Sequence, residues 1–190
     1  MNYIHRVLCS SAKWKSVVQQ YALPWTLEKL DLGDDVVEIG PGYGAATEVL
    51  QKRARNLVCL ESDHNLANRL ARCFNDGVTV RCEDATDMTL PSESSQSVVC
   101  FNMLHHIDSP ELQDKLFREV ARVLKPGGVF AGTDSLKSRF MKLIHLFDTL
   151  VLVDPETLQE RLSMAGFENV QVDVNPYAFR FRAWKPERWA

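Results

Sequence analysis

Val36-Val37-Glu38-Ile39-Gly40-Pro41-Gly42-Tyr43-Gly44, followed by Ala45-Ala46-Thr47-Glu48-Val49-Leu50, is the run from which the rest of the chain is read. A nearly apolar segment leads into glycines at alternate positions, and a helix-forming segment follows. An apolar run of this length reads as a parallel strand buried on both faces. Glycine permits positive φ in the turn and lets a bound group approach the backbone with no Cβ between them. The opening amides of a following helix have no intrahelical partner and face whatever the loop holds. Strand, glycine turn and helix together make a place for part of a nucleotide-like ligand.

Glu38 separates the ligands that fit such a turn. Gly40-x-Gly42-x-x-Ala45 matches the loose dinucleotide fingerprint, which would make NAD(P) the cofactor and the protein an oxidoreductase. A carboxylate two residues before the first glycine repels a pyrophosphate, whereas a ligand carrying an ammonium group tolerates it. The pattern Glu38-x-Gly40-x-Gly42-x-Gly44 resembles the first motif of class I S-adenosylmethionine-dependent methyltransferases, whose cofactor is a sulfonium amino acid joined to adenosine.

Beyond Val36, strand-like and helix-like runs alternate, the pattern of a parallel α/β sheet. Asn56–Leu60 reads as a second strand, Val78–Cys82 as a third, Ser97–Phe101 as a fourth and Val129–Thr133 as a fifth. Asp63 or Ser62 caps a helix with the apolar face Leu66, Ala67, Leu70, Cys73 and Phe74, stopped by Asn75-Asp76-Gly77. Ser109-Pro110 opens another helix, with Leu112, Leu116, Phe117, Val120, Val123 and Leu124 on one face. Asp154-Pro155 opens the last, and Gly166-Phe167 closes it with the glycine and apolar residue of a Schellman cap. Val170, Val172 and Val174, then Phe179 and Phe181, alternate with polar residues across Asn175-Pro176-Tyr177, as in a half-exposed antiparallel hairpin. A mostly parallel seven-stranded sheet ending in a hairpin, in a Rossmann-like three-layer sandwich, agrees with the methyltransferase resemblance; a dinucleotide dehydrogenase does not end so.

Residues 1–32 read as helical, with Trp14, Val17, Val18, Tyr21 and Leu27 as apolar anchors and Pro24 as a break. The whole of 1–190 reads as one domain, with 1–32 a helical lid and 33–190 the Rossmann-like core. In the apolar-rich stretch 136–153, Phe140, Leu143, Ile144, Phe147 and Leu150 form a core stripe that leaves Met141, Leu146 and Leu152 over. A net charge of -3 and a pI of about 6.0 give no support to a nucleic-acid footprint. Neither a signal peptide nor an apolar run long enough to span a membrane is evident, so a cytoplasmic location is expected. The five cysteines are odd in number and form no C-x-x-C; Cys59, Cys82 and Cys100 read as small buried hydrophobes in a reducing compartment.

Ligands in open α/β sheets bind outside the carboxyl ends of the strands, where strand order reverses. Glu61 ends the second strand, where a carboxylate accepts from ribose hydroxyls. The resemblance implies that Gly40, Pro41, Gly42 and Gly44 flank the methionine part, with Glu38 favouring its ammonium. It implies that Asp84 accepts from the adenine amino group, with the Ala85 amide on a ring nitrogen, and that Asn102 and Met103 offer backbone groups. Ser62 stands where many relatives place an apolar residue against the adenine. Residues 1–32 would lie over the cofactor, making Tyr3, His5, Arg6 and Trp14 lid candidates. Leu124-Lys125-Pro126-Gly127-Gly128 is similar to a run in the ubiquinone/menaquinone-biosynthesis-type branch of the family.

The reaction implied is displacement at a methyl carbon, in which positioning matters most. His105 and His106 follow the fourth strand, and His106 is the candidate for touching the acceptor or acting as its base. Asp134, Ser135 and Arg139, beyond the fifth strand, are further pocket candidates. No zinc-spaced His/Cys set and no Gly-x-Ser-x-Gly elbow occurs, so no metal is expected. Phe101-Asn102-Met103-Leu104 is not the Asn/Asp-Pro-Pro-aromatic tetrad of enzymes that methylate planar nitrogens. The acceptor is therefore expected to be a small, apolar or lipid-like molecule rather than nucleic acid. A non-catalytic S-adenosylmethionine-binding protein is the competing reading, and the oxidoreductase a third.

Overall fold

Val36, Val37 and Ile39 alternate between the two faces of β1 (Asp35–Ile39), an interior strand of a seven-stranded sheet. The other strands are β2 (Asn56–Leu60), β3 (Val78–Arg81), β4 (Ser95–Phe101), β5 (Leu124–Ser135), β6 (Glu168–Val174) and β7 (Ala178–Trp184). Their spatial order is β3-β2-β1-β4-β5-β7-β6, parallel throughout except β7, which runs antiparallel to both neighbours. The computed structural model describes residues 2–74 and 77–188 and, at positions 3 and 4, the backbone alone. Tyr3 as a lid side chain, and Asn75 and Asp76 of the expected helix stop, lie outside the described residues.

The sheet divides two cores. On one face, Val37, Ile39, Val98, Cys100 and Phe130 pack against α6 (Pro110–Val123) and α8 (Pro155–Met164). Phe130 sits among the rings of Phe181, Phe167 and Phe117 at centroid distances of 4.8, 5.8 and 6.1 Å. On the other face Val36, Leu57, Cys59, Val99 and Ala131 meet Val18, Leu23 and Leu27 of the N-terminal helices. Helix starts follow their side chains: Asp63 accepts from Asn65 and Leu66 N–H at the start of α5 (His64–Cys73), Ser109 from Leu112 N–H before α6, and Asp154 from Glu156 N–H before α8. After α8, Phe167 N–H reaches Leu162 O and Gly166 N–H reaches Ser163 O, the paired bonds of a Schellman cap, with Gly166 at φ +100°.

Several local expectations change in three dimensions. Pro24 does not break the N-terminal run: α2 (Ala12–Val17), a π-helical turn (Val18–Ala22) and α3 (Leu23–Thr26) are continuous. The wider turn, closed by Leu23 N–H on Val18 O, relieves the clash between the proline ring and the preceding carbonyls. The glycine loop leads into only one helical turn, α4 (Thr47–Leu50), because residues 42–46 remain in turns. Lys125–Gly128 bulges within β5, so that Ser95 pairs with Leu124 but Ser97 with Val129. Cys59 and Cys100 are buried as expected, whereas Cys82 and Cys73 are exposed.

The stripe expected across 136–153 holds at Ile144 but not at Phe140, Leu143 or Phe147, and Met141 takes a buried place instead. Met141 and Ile144 of α7 (Arg139–Ile144) point inward, and Phe140, Leu143 and Phe147 are 59%, 64% and 96% exposed. Val17 and Tyr21 are exposed as well, leaving Val18, Leu23 and Leu27 as the N-terminal anchors. Among the described residues no helix is long and apolar enough to cross a membrane.

Candidate active site

The glycine loop leaves β1 at Gly40, whose N–H bonds Leu60 O at 2.9 Å, and turns back through Gly44 N–H on Pro41 O at 2.9 Å. Gly40, Gly42 and Gly44 have φ of +62°, +57° and +81°. A Cβ at Gly40 would come within 2.9 Å of Met103 Cβ, and one at Gly44 within 2.6 Å of the Phe74 ring. One at Gly42 would meet nothing within 4 Å, because that residue faces the open cavity. The loop is therefore packed from below and bare above.

Two carboxylates hold it. Glu38, buried at the end of β1, accepts from the Thr47 hydroxyl at 2.7 Å, and burial raises its carboxyl to about 7. Glu61, directly after β2, accepts Gly42 N–H on Oε2 and Asp63 N–H on Oε1, both at 3.0 Å. Its carboxyl is also raised, by burial. These bonds leave lone pairs on both Glu61 oxygens for further donors.

After β4, Asn102 takes φ +53°, with its N–H on Thr133 O at 2.8 Å and its side-chain oxygen accepting from Ser135 Oγ at 3.3 Å. A single 3-10 turn, Leu104–His106, follows. His105 is buried and paired through Nδ1 with Asp134 Oδ1 at 2.5 Å, and its N–H bonds Asp134 Oδ2 at 3.0 Å. Burial works to raise the Asp134 carboxyl, but His105 and the Ser135 and His105 N–H groups hold it below its ordinary value. Beside this pair lie the rings of His5, His106 and His145, with centroids 4.2 to 5.2 Å apart. Burial lowers His5 to about 4 and His106 to about 3, so both rings are neutral near pH 7.

Glu38, Gly40, Gly42, Glu61, Asn102 and the histidines line one cavity of about 770 Å³, within the range of small-molecule sites. It lies outside the carboxyl ends of β1, β2 and β4, where the strand order reverses between β1 and β4. The profile of the methyltransferase-domain family matches residues 37–132, just over half the chain. The chain belongs to the S-adenosylmethionine-dependent methyltransferases.

Curated relatives agree. A Mycolicibacterium smegmatis protein that bears the name 'Probable S-adenosylmethionine-dependent methyltransferase' is 31% identical over 140 residues, covering 72% of this chain and 52% of that protein. The ribosomal RNA small subunit methyltransferase A of Fusobacterium nucleatum is 33% identical over 87 residues, covering 44% of this chain and 33% of that protein. The match thus spans about half of the first relative's length and about a third of the second's. Among solved structures, a chain from the 'Complex between the Haloferax volcanii Trm112 methyltransferase activator and the putative methyltransferase' superposes with a TM-score of 0.78. It is 16% identical, over 96% of this chain and 98% of that one, a likeness of fold.

The cavity gathers Glu38, Gly40, Pro41, Gly42, Glu61, Ser62, Asn102, Met103, His106 and Ser135 from the expected site, with His5 and Trp14 from the expected lid. Gly44 packs beneath the loop instead. Asp84 is exposed outside the cavity and accepts Thr86 N–H at 2.8 Å, while Ala85 packs against the core. Asp134 is buried behind the wall by its bond to His105, and Arg139 is exposed at the start of α7. Arg6 is exposed and reaches Tyr43 of the loop. Sequence spacing missed His145 and Asp148. Their signal was a histidine and an acid three residues apart inside an apolar-rich run, of no meaning until that run folds over the strand ends.

Proposed function

We propose that the protein transfers a methyl group from S-adenosylmethionine to a small, largely apolar acceptor. The observation that carries this reading is Glu61, a buried carboxylate bonded at 3.0 Å to the N–H of Gly42 on the floor of the cavity. Gly40, Pro41 and Gly42 would hold the amino-acid part, Glu38 would favour its ammonium, and Glu61 would accept from the ribose hydroxyls. Met103 and the backbone of Asn102 would flank the same molecule, and Ser62 would lie beside the adenine. Asp84, exposed outside the cavity, would accept from the adenine amino group, with the Ala85 amide on a ring nitrogen. When bound, the cofactor supplies an electrophilic methyl group on a sulfonium. The protein's part is alignment of the acceptor in line with it. His106 is neutral but, at a pKa of about 3, too weak a base to draw a proton efficiently near pH 7.

Apolar side chains on the acceptor side support the choice of acceptor class: Phe140, Met141, Ile144 and Leu136 line the cavity there. The run Leu124-Lys125-Pro126-Gly127-Gly128 supports a place near the ubiquinone/menaquinone-biosynthesis-type branch. A nucleic-acid acceptor is the second reading, favoured by the ribosomal RNA methyltransferase relatives. It is opposed by the net charge of -3. Calorimetry with S-adenosylhomocysteine and NAD side by side tests the cofactor, with binding expected for the first alone; tighter binding of NAD would overturn the reading. A panel of radiolabelled acceptors tests the second half: methylation of RNA and of no small molecule would replace the acceptor class.

A further inference from the structure

We propose that His5, His106 and His145 form a binding site for one divalent transition-metal ion of the zinc class. One ring nitrogen from each lies within 4.8 Å of the others. Three nitrogens on a tetrahedral ion at about 2.0–2.1 Å stand roughly 3.3 Å apart. Closing by about 1.5 Å, shared among three side-chain rotations, brings the set to that geometry. Imidazole suits zinc and its neighbours in the first transition row, and disfavours calcium and magnesium.

The outer contacts of the rings point the same way. His145 Nδ1 donates to Met141 O at 2.9 Å, which leaves the lone pair on Nε2. That Nε2 is buried with no hydrogen-bond partner among the described residues. A buried imidazole nitrogen with a lone pair and no donor is costly unless something accepts that pair. His5 Nδ1 lies 3.3 Å from Asp148 Oδ2, a carboxylate placed to orient that ring. Backbone carbonyls and carboxylates on the far nitrogen are the usual orienting partners of metal-bound histidine. His105 stands outside this set of three; its Nδ1 bonds Asp134, and that bond fixes the turn that carries His106. All three ligands line the cavity, so a fourth position stays open to it, the pattern of a catalytic rather than a structural zinc site.

The ligands come from α1 (Tyr3–Cys9), the turn after β4 and the end of α7. The expectation of no metal rested on spacing within single stretches, and a set assembled from three segments leaves no such mark. An ion here would fasten the N-terminal helix to the strand-end loops.

The test uses the full chain stripped with a chelator. Titration with zinc should show one ion per chain, and cobalt should give the intense visible absorption of a four-coordinate site. X-ray absorption of the zinc-loaded protein should show three imidazoles in the first shell. His106→Ala and His145→Ala should each weaken zinc binding more than about 100-fold, and Asp148→Asn by about 10–100-fold. Failure to retain stoichiometric zinc or cobalt, a shell without three imidazoles, or equal retention by both histidine variants would overturn the site. Because the X-ray absorption is read on the unmutated protein, misfolding of a variant does not blunt the test. S-adenosylhomocysteine binding, followed in parallel, tests the cofactor reading separately: its loss with zinc retained would remove that reading and leave the ion in place.

Discussion

Glu61 and Glu38 show how far a single side chain carries the site. Glu61 already bonds two backbone N–H groups, so its removal takes from any ribose a carboxylate held in a fixed orientation. Glu61→Ala should weaken S-adenosylhomocysteine by about 1–3 kcal/mol, the cost of a lost charged partner, read by calorimetry; unchanged affinity would remove Glu61 from the site. Glu38 gives a pH signature. Its carboxyl, raised by burial from 4.5 to about 7, binds a proton more tightly folded than unfolded. That proton contributes stability below about 4.5 which is lost as pH rises through about 7. Chemical denaturation of Glu38→Gln beside the unmutated protein should therefore show the variant gaining relative stability across that window. If a cofactor ammonium meets Glu38, affinity for S-adenosylhomocysteine should also rise with pH through about 7, and the variant should flatten the profile.

At the scale of elements, the sheet is held by what its strands put on each face. Phe130 stands at the centre of the ring cluster of β5, β7, α6 and the turn after α8, each aromatic pair adding about 0.5–1.5 kcal/mol beyond burial. Phe130→Ala should cost about 3–5 kcal/mol in urea denaturation. Cofactor affinity under native conditions should be retained, since this core lies on the α6 and α8 face. Loss below about 1 kcal/mol would mean that the neighbouring rings close the cavity left behind. The loop after β1 works differently. Its glycines are required where the backbone takes positive φ against Met103 and Phe74, not because a long helix follows.

Over the whole molecule, the N-terminal helices are fastened at both ends of the fold. Arg182 donates to Thr26 O at 3.0 Å and Arg180 to Trp25 O, tying α3 to β7. Asn2 donates its side-chain NH2 to Ile144 O at 2.8 Å and Leu146 O at 2.9 Å, tying α1 to the end of α7. Asn2→Ala removes these bonds together with the cap on His5 N–H. At about 1 kcal/mol for a net hydrogen bond, amide exchange in α1 should quicken about fivefold or more in the metal-free protein. Exchange in β1 and β4 should not change. Uniform acceleration would show that α1 opens only with global unfolding.

The order of strands and helices, the glycine loop with its two acids and the final hairpin were legible in the sequence, because each is written in local periodicity and turn chemistry. Ser109-Pro110 and Gly166-Phe167 mark helix ends by bonds made within a few residues. What local pattern could not give was the facing of 136–153, where helix and loop share one composition, or the continuity of the helix through Pro24. Nor could it place Asp84 outside the cavity, since a strand-end acid reads alike whether it faces a ligand or water. The histidine cluster belongs wholly to the tertiary structure. Residues 5, 106 and 145 share no segment, and only the folding of α1 and α7 over the ends of the sheet brings their nitrogens together.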